Sequence, residues 1–181
     1  MAGHLEVRRG YMSEEQLKRF LEASRDPREK LWWLLMCDCG LRLGEVQSLG
    51  LWEIQRQHVH VRGKGKKWRR VPVTRRVWEA VVQARTGKGA GQASMVCPVS
   101  PRAVQARFHR AQKRAGLSGL RLSPHSLRHT FATRLLTAGV DIYRVQTMLG
   151  HRSIRTTVGY LHTSPEALRE ASAALDDLNG A

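Results

Sequence analysis

Between Trp52 and Val73 the hydrophobic period of this chain changes. His58-Val-His-Val-Arg62 and Arg69-Arg-Val-Pro-Val73 alternate apolar and polar residues around Gly63-Lys-Gly-Lys-Lys67. Successive side chains of a strand point to opposite faces, so the pattern predicts a β-hairpin with a basic, glycine-flanked tip. The flanking sequence is patterned at helical spacing. A single interruption of this kind predicts a mainly α chain with a small antiparallel β-hairpin or three-stranded sheet, an α+β arrangement.

Helix boundaries are marked by their chemistry. Ser13-Glu-Glu-Gln16 is a capping box, and Leu17, Phe20 and Leu21 then recur on one face, predicting a helix from about Glu14 to Ala23. Asp26-Pro27 opens a second helix carrying Leu31, Trp32, Leu34 and Leu35, which Gly40 stops. A short helical turn is expected from Gly44 to Leu49, and a helix from about Arg75 to Ala84. Thr86 to Ser94 is glycine-rich, lacks periodicity and reads as an exposed loop. Ser100-Pro101 and Ser123-Pro124 both pair an N-cap with proline at the first helical position, opening helices that run to about Ala115 and Gly139. Asp141 to Leu149, Ser153 to about Tyr160, and Ser164-Pro165 to Leu178 are expected to be helical as well.

The 181 residues are expected to form one domain, 1–181. Lysine and arginine number 31 against 15 acidic residues, a formal charge of +16, which favours a polyanionic partner over an acidic small molecule. The longest apolar run, Leu31 to Cys37, is far below the ~20 residues that a membrane span needs. The N-terminus carries no apolar signal region, and a cytoplasmic, nucleoid-associated location is expected. Cys37, Cys39 and Cys97 are odd in number and read as reduced, mostly buried thiols.

The residues able to do chemistry are individually ambiguous. His125 and Arg128 lie three apart at a helix start, where they share a face and the dipole favours an anion, but a capping or salt-bridge pair has the same spacing. His125 and His129, four apart, have the spacing of a zinc pair, yet no Glu stands between them and no acidic third ligand is near, so no metal is expected. In Gly40-Leu-Arg-Leu-Gly-Glu45, Arg42 follows a helix and Glu45 is placed to hold it. Tyr160 is a poor nucleophile at its ordinary pKa of ~10 unless cations and a base surround it. A tyrosine on a helix more often packs its ring.

The order of these motifs is informative. GLRxxE, a GKGxK hairpin, HxLRH at a helix start, and LGH followed nine residues later by tyrosine occur in one register. That order resembles the catalytic domain of the tyrosine recombinases, the phage-integrase and Xer-like family, from about residue 11 to 178. The resemblance implies the tyrosine recombinase catalytic-domain fold. It implies that Arg42 and Arg128 clamp a scissile phosphate, that His125 and His151 hydrogen-bond it, that Lys64 protonates the departing 5′ oxygen, and that Tyr160 is the nucleophile. Glu45 and His129 match supporting positions. The choice of Lys64 over Lys66 and Lys67, which are expected DNA contacts, rests on the family pattern alone.

This set makes chemical sense. Phosphodiester attack builds negative charge on non-bridging oxygens, and forked guanidinium donors meet it without Mg²⁺. No cofactor is therefore expected. A phosphotyrosyl ester conserves the broken bond, so a 5′ hydroxyl can reseal the strand without ATP. The expected partner is double-stranded DNA, with a homo-oligomer, a tetramer on synapsed duplexes, as the working state and a monomer allowed when free. The helix from Ser100 to Ala115 is the candidate groove reader through Arg102, Gln105, Arg107, His109, Arg110, Gln112, Lys113 and Arg114; a face that touches only backbone phosphates fits equally. Relatives usually carry a further N-terminal core-binding domain, expected here to be absent, as in an excised fragment or a minimal single-domain enzyme. The final helix, Pro165 to Leu178, is either a tail for a neighbouring protomer or a segment folded back on its own domain. The competing readings are a noncatalytic DNA-binding or architectural module and a type IB-like topoisomerase.

Overall fold

In the computed structural model, which describes residues 10–63, 68–87, 91 and 94–150, the first helix starts where its capping box lies. Ser13 Oγ accepts from the Gln16 N–H at 3.2 Å, and Gln16 Oε1 accepts from the Ser13 N–H at 2.9 Å, satisfying two donors that a helix leaves open. Helix α1 (Glu14–Glu22) is followed by α2 (Pro27–Asp38) and a short α3 (Leu43–Gln47). A 3₁₀ turn (Leu51–Glu53) leads into strands β1 (His58–Arg62) and β2 (Trp68–Pro72). Helices α4 (Arg75–Thr86), α5 (Pro101–Arg114), α6 (Pro124–Thr137) and α7 (Ile142–Leu149) complete the described chain. The expected helices from Ser153 and Ser164 lie outside the described residues, as does part of the expected Thr86–Ser94 loop.

The strands pair antiparallel, His58 opposite Pro72 and Arg62 opposite Trp68. Of the two expected forms of the sheet, the described residues show the two-stranded hairpin. Gly50 and Met95 add only an isolated antiparallel bridge, with the Leu51 N–H donating to the Ser94 carbonyl at 2.8 Å.

Helix α2 is the centre of the domain. Every residue from Leu31 to Asp38 is buried, as expected of a helix packed on several sides. It lies against α4 and α6, and α1 packs on α5. Phe20, Trp33 and Phe108 meet with ring centroids 4.8–5.8 Å apart, joining α1, α2 and α5. Trp32 anchors the 94–100 segment by donating its indole N–H to the Val96 carbonyl at 2.7 Å. Trp52 and Trp78 hold the Arg85 guanidinium, 4.6 and 5.2 Å from their ring centroids.

Cys37, Cys39 and Cys97 are buried free thiols, as expected. Burial pushes Cys39 up to about 12 and Cys97 up to about 11, keeping both protonated and unreactive.

Asp38, at the end of α2, ties three helices. Its carboxylate accepts from Arg76 Nε and Nη2, from Arg134 Nη1 at 3.0 Å and from Thr74 Oγ1 at 3.1 Å, linking α2 to the start of α4 and to α6. Burial alone would raise its pKa; the Arg76 hydrogen bonds and the two guanidinium charges outweigh this and hold the carboxyl below its ordinary value. Because the folded pKa is lowered, the stabilisation is complete above the unfolded value near ~4 and disappears as pH falls through the folded value. Urea unfolding at a series of pH values should therefore show stability falling below pH ~4. Asp38→Asn should flatten part of that fall and lose about 1.5–3 kcal/mol at neutral pH, the scale of hydrogen bonds to a charged group. Identical pH profiles for the two proteins would contradict this account.

Candidate active site

Gly40 ends α2 in a left-handed conformation, φ 63°. A Cβ there would stand 2.5 Å from Phe131 Cδ1, so only glycine allows α6 to approach this turn. The turn delivers two groups: the Gly40 carbonyl, and Arg42 at the N-cap of α3. Glu45 reaches back from the first turn of α3, its Oε2 accepting from the Arg42 N–H at 2.8 Å and its Oε1 from Arg42 Nη1 at 3.1 Å. This is the expected Arg42–Glu45 pair.

Glu45 is also the hub of a larger cluster. It is only 8% exposed. Arg69, on β2, grips it with a fork, Nη1 to Oε1 at 2.7 Å and Nη2 to Oε2 at 2.8 Å. Arg128 Nη1, from α6, lies 4.0 Å from Oε2. Burial would raise the Glu45 pKa, but the Arg69 hydrogen bonds, the Arg42 N–H and the nearby charges hold it below its ordinary value. Three guanidinium groups around one carboxylate leave a positive surplus among the described residues, a field suited to an anion.

Arg128 is fully buried, 0% exposed. Its Nη1 donates to the Gly40 carbonyl and its Nη2 to the Leu149 carbonyl at 2.7 Å. Arg69 Nε donates to the neighbouring Met148 carbonyl at 3.1 Å. Two arginines thus satisfy carbonyls left open at the C-terminus of α7, where the helix dipole also favours positive charge. Gly150 follows with φ 65°, and a Cβ there would lie 3.1 Å from Arg69 Cδ, so this turn too requires glycine. The segment leading to His151 is therefore fastened to the same arginines that hold Glu45.

His125 is exposed on the first turn of α6, within the fields of Arg128 and Arg42. Partial burial, then the Arg128 and Arg42 charges, lower its pKa. His129 is pushed down to about 4 by burial and by His125 and Arg128; the two rings meet edge to face, 4.8 Å apart. His129 is therefore neutral at physiological pH.

The structure thus brings Arg42, Glu45, His125, Arg128 and His129 together from α3 and α6. Lys64, Lys66, Lys67, His151 and Tyr160 lie outside the described residues. On α5, Arg102, Arg110, Lys113 and Arg114 are exposed. Arg107 is turned inward: its Nη1 pairs with Glu29 at 2.7 Å and its guanidinium lies 5.4 Å from the Trp32 ring centroid. Gln112, expected among the groove-reading residues, is instead buried, its amide donating to the Leu117 and Leu120 carbonyls and so unable to reach a groove.

Arg69 is the site residue that the sequence reading missed. The signal was present: in the alternation of β2 it shares the inward face with buried Val71. An arginine on the apolar face of a strand calls for a buried acid.

Chain positions 10–167 match the model of the phage integrase family, and the chain belongs to that family. It is 33% identical to tyrosine recombinase XerC of Chromohalobacter salexigens over 171 residues, covering 87% of this chain and 57% of the relative. It is 40% identical to XerC of Corynebacterium efficiens over 139 residues, covering 74% of this chain and 43% of that one. The chain spans about half the length of the curated relatives it matches. Among solved structures, the XerA recombinase is 30% identical and superposes with a TM-score of 0.74 over 91% of this chain and 64% of that one. The catalytic domain of bacteriophage HP1 integrase, 24% identical, shares the fold with a TM-score of 0.66, covering 91% of this chain and 94% of that domain.

Proposed function

We propose that this chain is the catalytic part of a site-specific DNA recombinase that cleaves and rejoins strands through a 3′-phosphotyrosyl intermediate, using neither metal nor ATP. The observation that carries the reading is the meeting of Arg42 and Arg128 around Glu45, with His125 within reach of both guanidinium charges, in a field with a surplus of positive charge. That convergence is what a phosphodiester in transition requires. The recombinase names of the relatives support it. So does the solved complex of the XerH recombinase with its difH substrate, which shares the fold with a TM-score of 0.75.

In the proposed reaction the Tyr160 oxygen attacks the phosphorus and His125 accepts the phenolic proton. The P–O5′ bond breaks, and Lys64 donates a proton to the departing 5′ oxygen. Arg42 and Arg128 donate to the non-bridging oxygens, with His151 as a further donor. A 5′ hydroxyl of the same or a partner strand then attacks the phosphotyrosine in reverse, restoring the phenol. A neutral His125 suits the acceptor role, and the arriving phosphate offsets the charges that lower its pKa. The buried Arg128 must be uncovered for substrate contact, which couples phosphate binding to movement near the Leu149–Gly150 turn. The DNA partner is a duplex, and the working assembly is a tetramer on two of them.

The test uses nicked suicide duplexes carrying a broad set of candidate sites. The wild-type protein is expected to form a denaturation-resistant protein–DNA adduct, in excess EDTA as well as without it, and Tyr160→Phe is expected to form none. Equal behaviour of the two proteins across the set, or loss of the adduct in EDTA, would overturn the proposal.

A further inference from the structure

The alternation that buries Val59, Val61 and Val71 leaves the other face of the hairpin in solvent. That face carries His60 and Arg62 on β1 and Trp68, Arg70 and Pro72 on β2, with half-buried His58 at its end. Neither strand contains an acidic residue. Register puts His60 opposite Arg70 and Arg62 opposite Trp68. Arg70 Nη2 lies 3.1 Å from His58 Nδ1, and the His58 and His60 rings are 4.9 Å apart.

Two features of this face call for an anionic partner. Arg62 and Arg70 lie diagonally across the ribbon, and like charges within reach of each other on one face are ordinarily relieved by an opposite charge. The exposed arginines Arg19 and Arg75 have such a partner in Glu15 and Glu79. On the ribbon no carboxylate is offered by the strands themselves. The second feature is Trp68, 66% exposed beside these cations. An indole on a basic surface gives base and sugar a flat apolar face, while guanidinium groups fork onto phosphates. A two-stranded ribbon is also narrow enough to enter a DNA groove.

We propose that the solvent face of the β1–β2 hairpin is a duplex-DNA contact surface separate from the reacting groups, with Arg62 and Arg70 on phosphates and the Trp68 ring against the sugar or base edges between them. The proposal rests on the DNA reading above and extends it. It places affinity-bearing contacts on residues that take no part in bond breaking. It assigns to the ribbon a share of the binding that the charge of the chain implies, beside α5.

The test measures binding of the full chain to a fluorescent mixed-sequence duplex across a salt series, by anisotropy. Arg62→Ala/Arg70→Ala is expected to bind at least tenfold more weakly at low salt, with the slope of log K against log salt shallower by about 2, since two phosphate contacts are lost. DNA is expected to quench tryptophan fluorescence in the wild type and less so in Trp68→Phe. These side chains face solvent, so circular dichroism should be unchanged, and the Trp68 signal checks the contact without altering charge. Wild-type binding combined with unchanged affinity and salt slope in the double variant, and unchanged quenching in Trp68→Phe, would overturn this surface and leave the recombinase reading standing. Failure of the wild type to bind any duplex at low salt would overturn both. Loss of the adduct in Tyr160→Phe with duplex affinity intact would separate chemistry from binding.

Discussion

Glu45→Ala is expected to be among the most damaging single substitutions in this domain, lowering the unfolding free energy by about 3–5 kcal/mol. The carboxylate is 8% exposed and faces Arg42, Arg69 and Arg128. Removing it leaves the side chain of Arg69, 13% exposed, and that of Arg128, 1% exposed, near one another with their shared counter-charge gone. Buried charge without a partner costs far more than the pair contributed when intact. Urea denaturation at neutral pH measures the loss. The double variant Glu45→Ala/Arg69→Met should recover a substantial part of it, because one of the stranded charges goes too. A loss below about 1 kcal/mol, the range of an exposed ion pair, would show that Glu45 is not the hub proposed. In the variants that remain folded, adduct formation should fall as well, because Arg42 loses the acceptor that orients it.

The second large effect is expected at Arg128. In Arg128→Ala the Gly40 and Leu149 carbonyls both lose their donor, at about 1–3 kcal/mol for each buried group left unsatisfied. The end of α2 and the end of α7 would no longer be fastened to one side chain. Arg128→Lys separates charge from geometry: it keeps the positive charge but cannot fork onto two carbonyls and a phosphate. It should therefore be milder in stability, yet lower the single-turnover rate of adduct formation by roughly 10²–10³, the scale seen when one preorganised donor is removed. A lysine variant with wild-type cleavage would mean that charge alone suffices and that the forked geometry observed at Arg128 has no part in the chemistry.

Much of the local structure was legible in the sequence because it depends on neighbours within a few residues. The Ser13–Gln16 box, the Asp26-Pro27, Ser100-Pro101 and Ser123-Pro124 helix starts and the Gly40 stop all satisfy backbone groups with nearby side chains or a permitted φ. The strand alternation was legible for the same reason: β1 has the expected bounds, and β2 is displaced by one position, gaining Trp68 and losing Val73. The Arg42–Glu45 pair needed only a spacing of three residues.

Long-range charge placement was not legible. Arg107 looked like its basic neighbours on α5, but helix rotation against α2 sends it to Glu29 and Trp32 and leaves Arg102, Arg110, Lys113 and Arg114 in solvent. Arg69 looked like one more cation of a basic hairpin, until the packing of β2 against α3 and α7 gave it Glu45 and the Met148 carbonyl. Arg128 was expected to reach for phosphate; the structure adds that it is buried and holds two carbonyls, 88 residues before it and 21 after it. Among the described residues, the sequence by itself determined which segments are helix or strand and nearly where they start and stop, and it determined the family to which the motif order belongs. Only the tertiary structure decided which arginines are spent on buried carboxylates and carbonyls and which remain in solvent. Backbone preference acts over a few residues, whereas the cost of burying a charge depends on partners that folding brings from far along the chain.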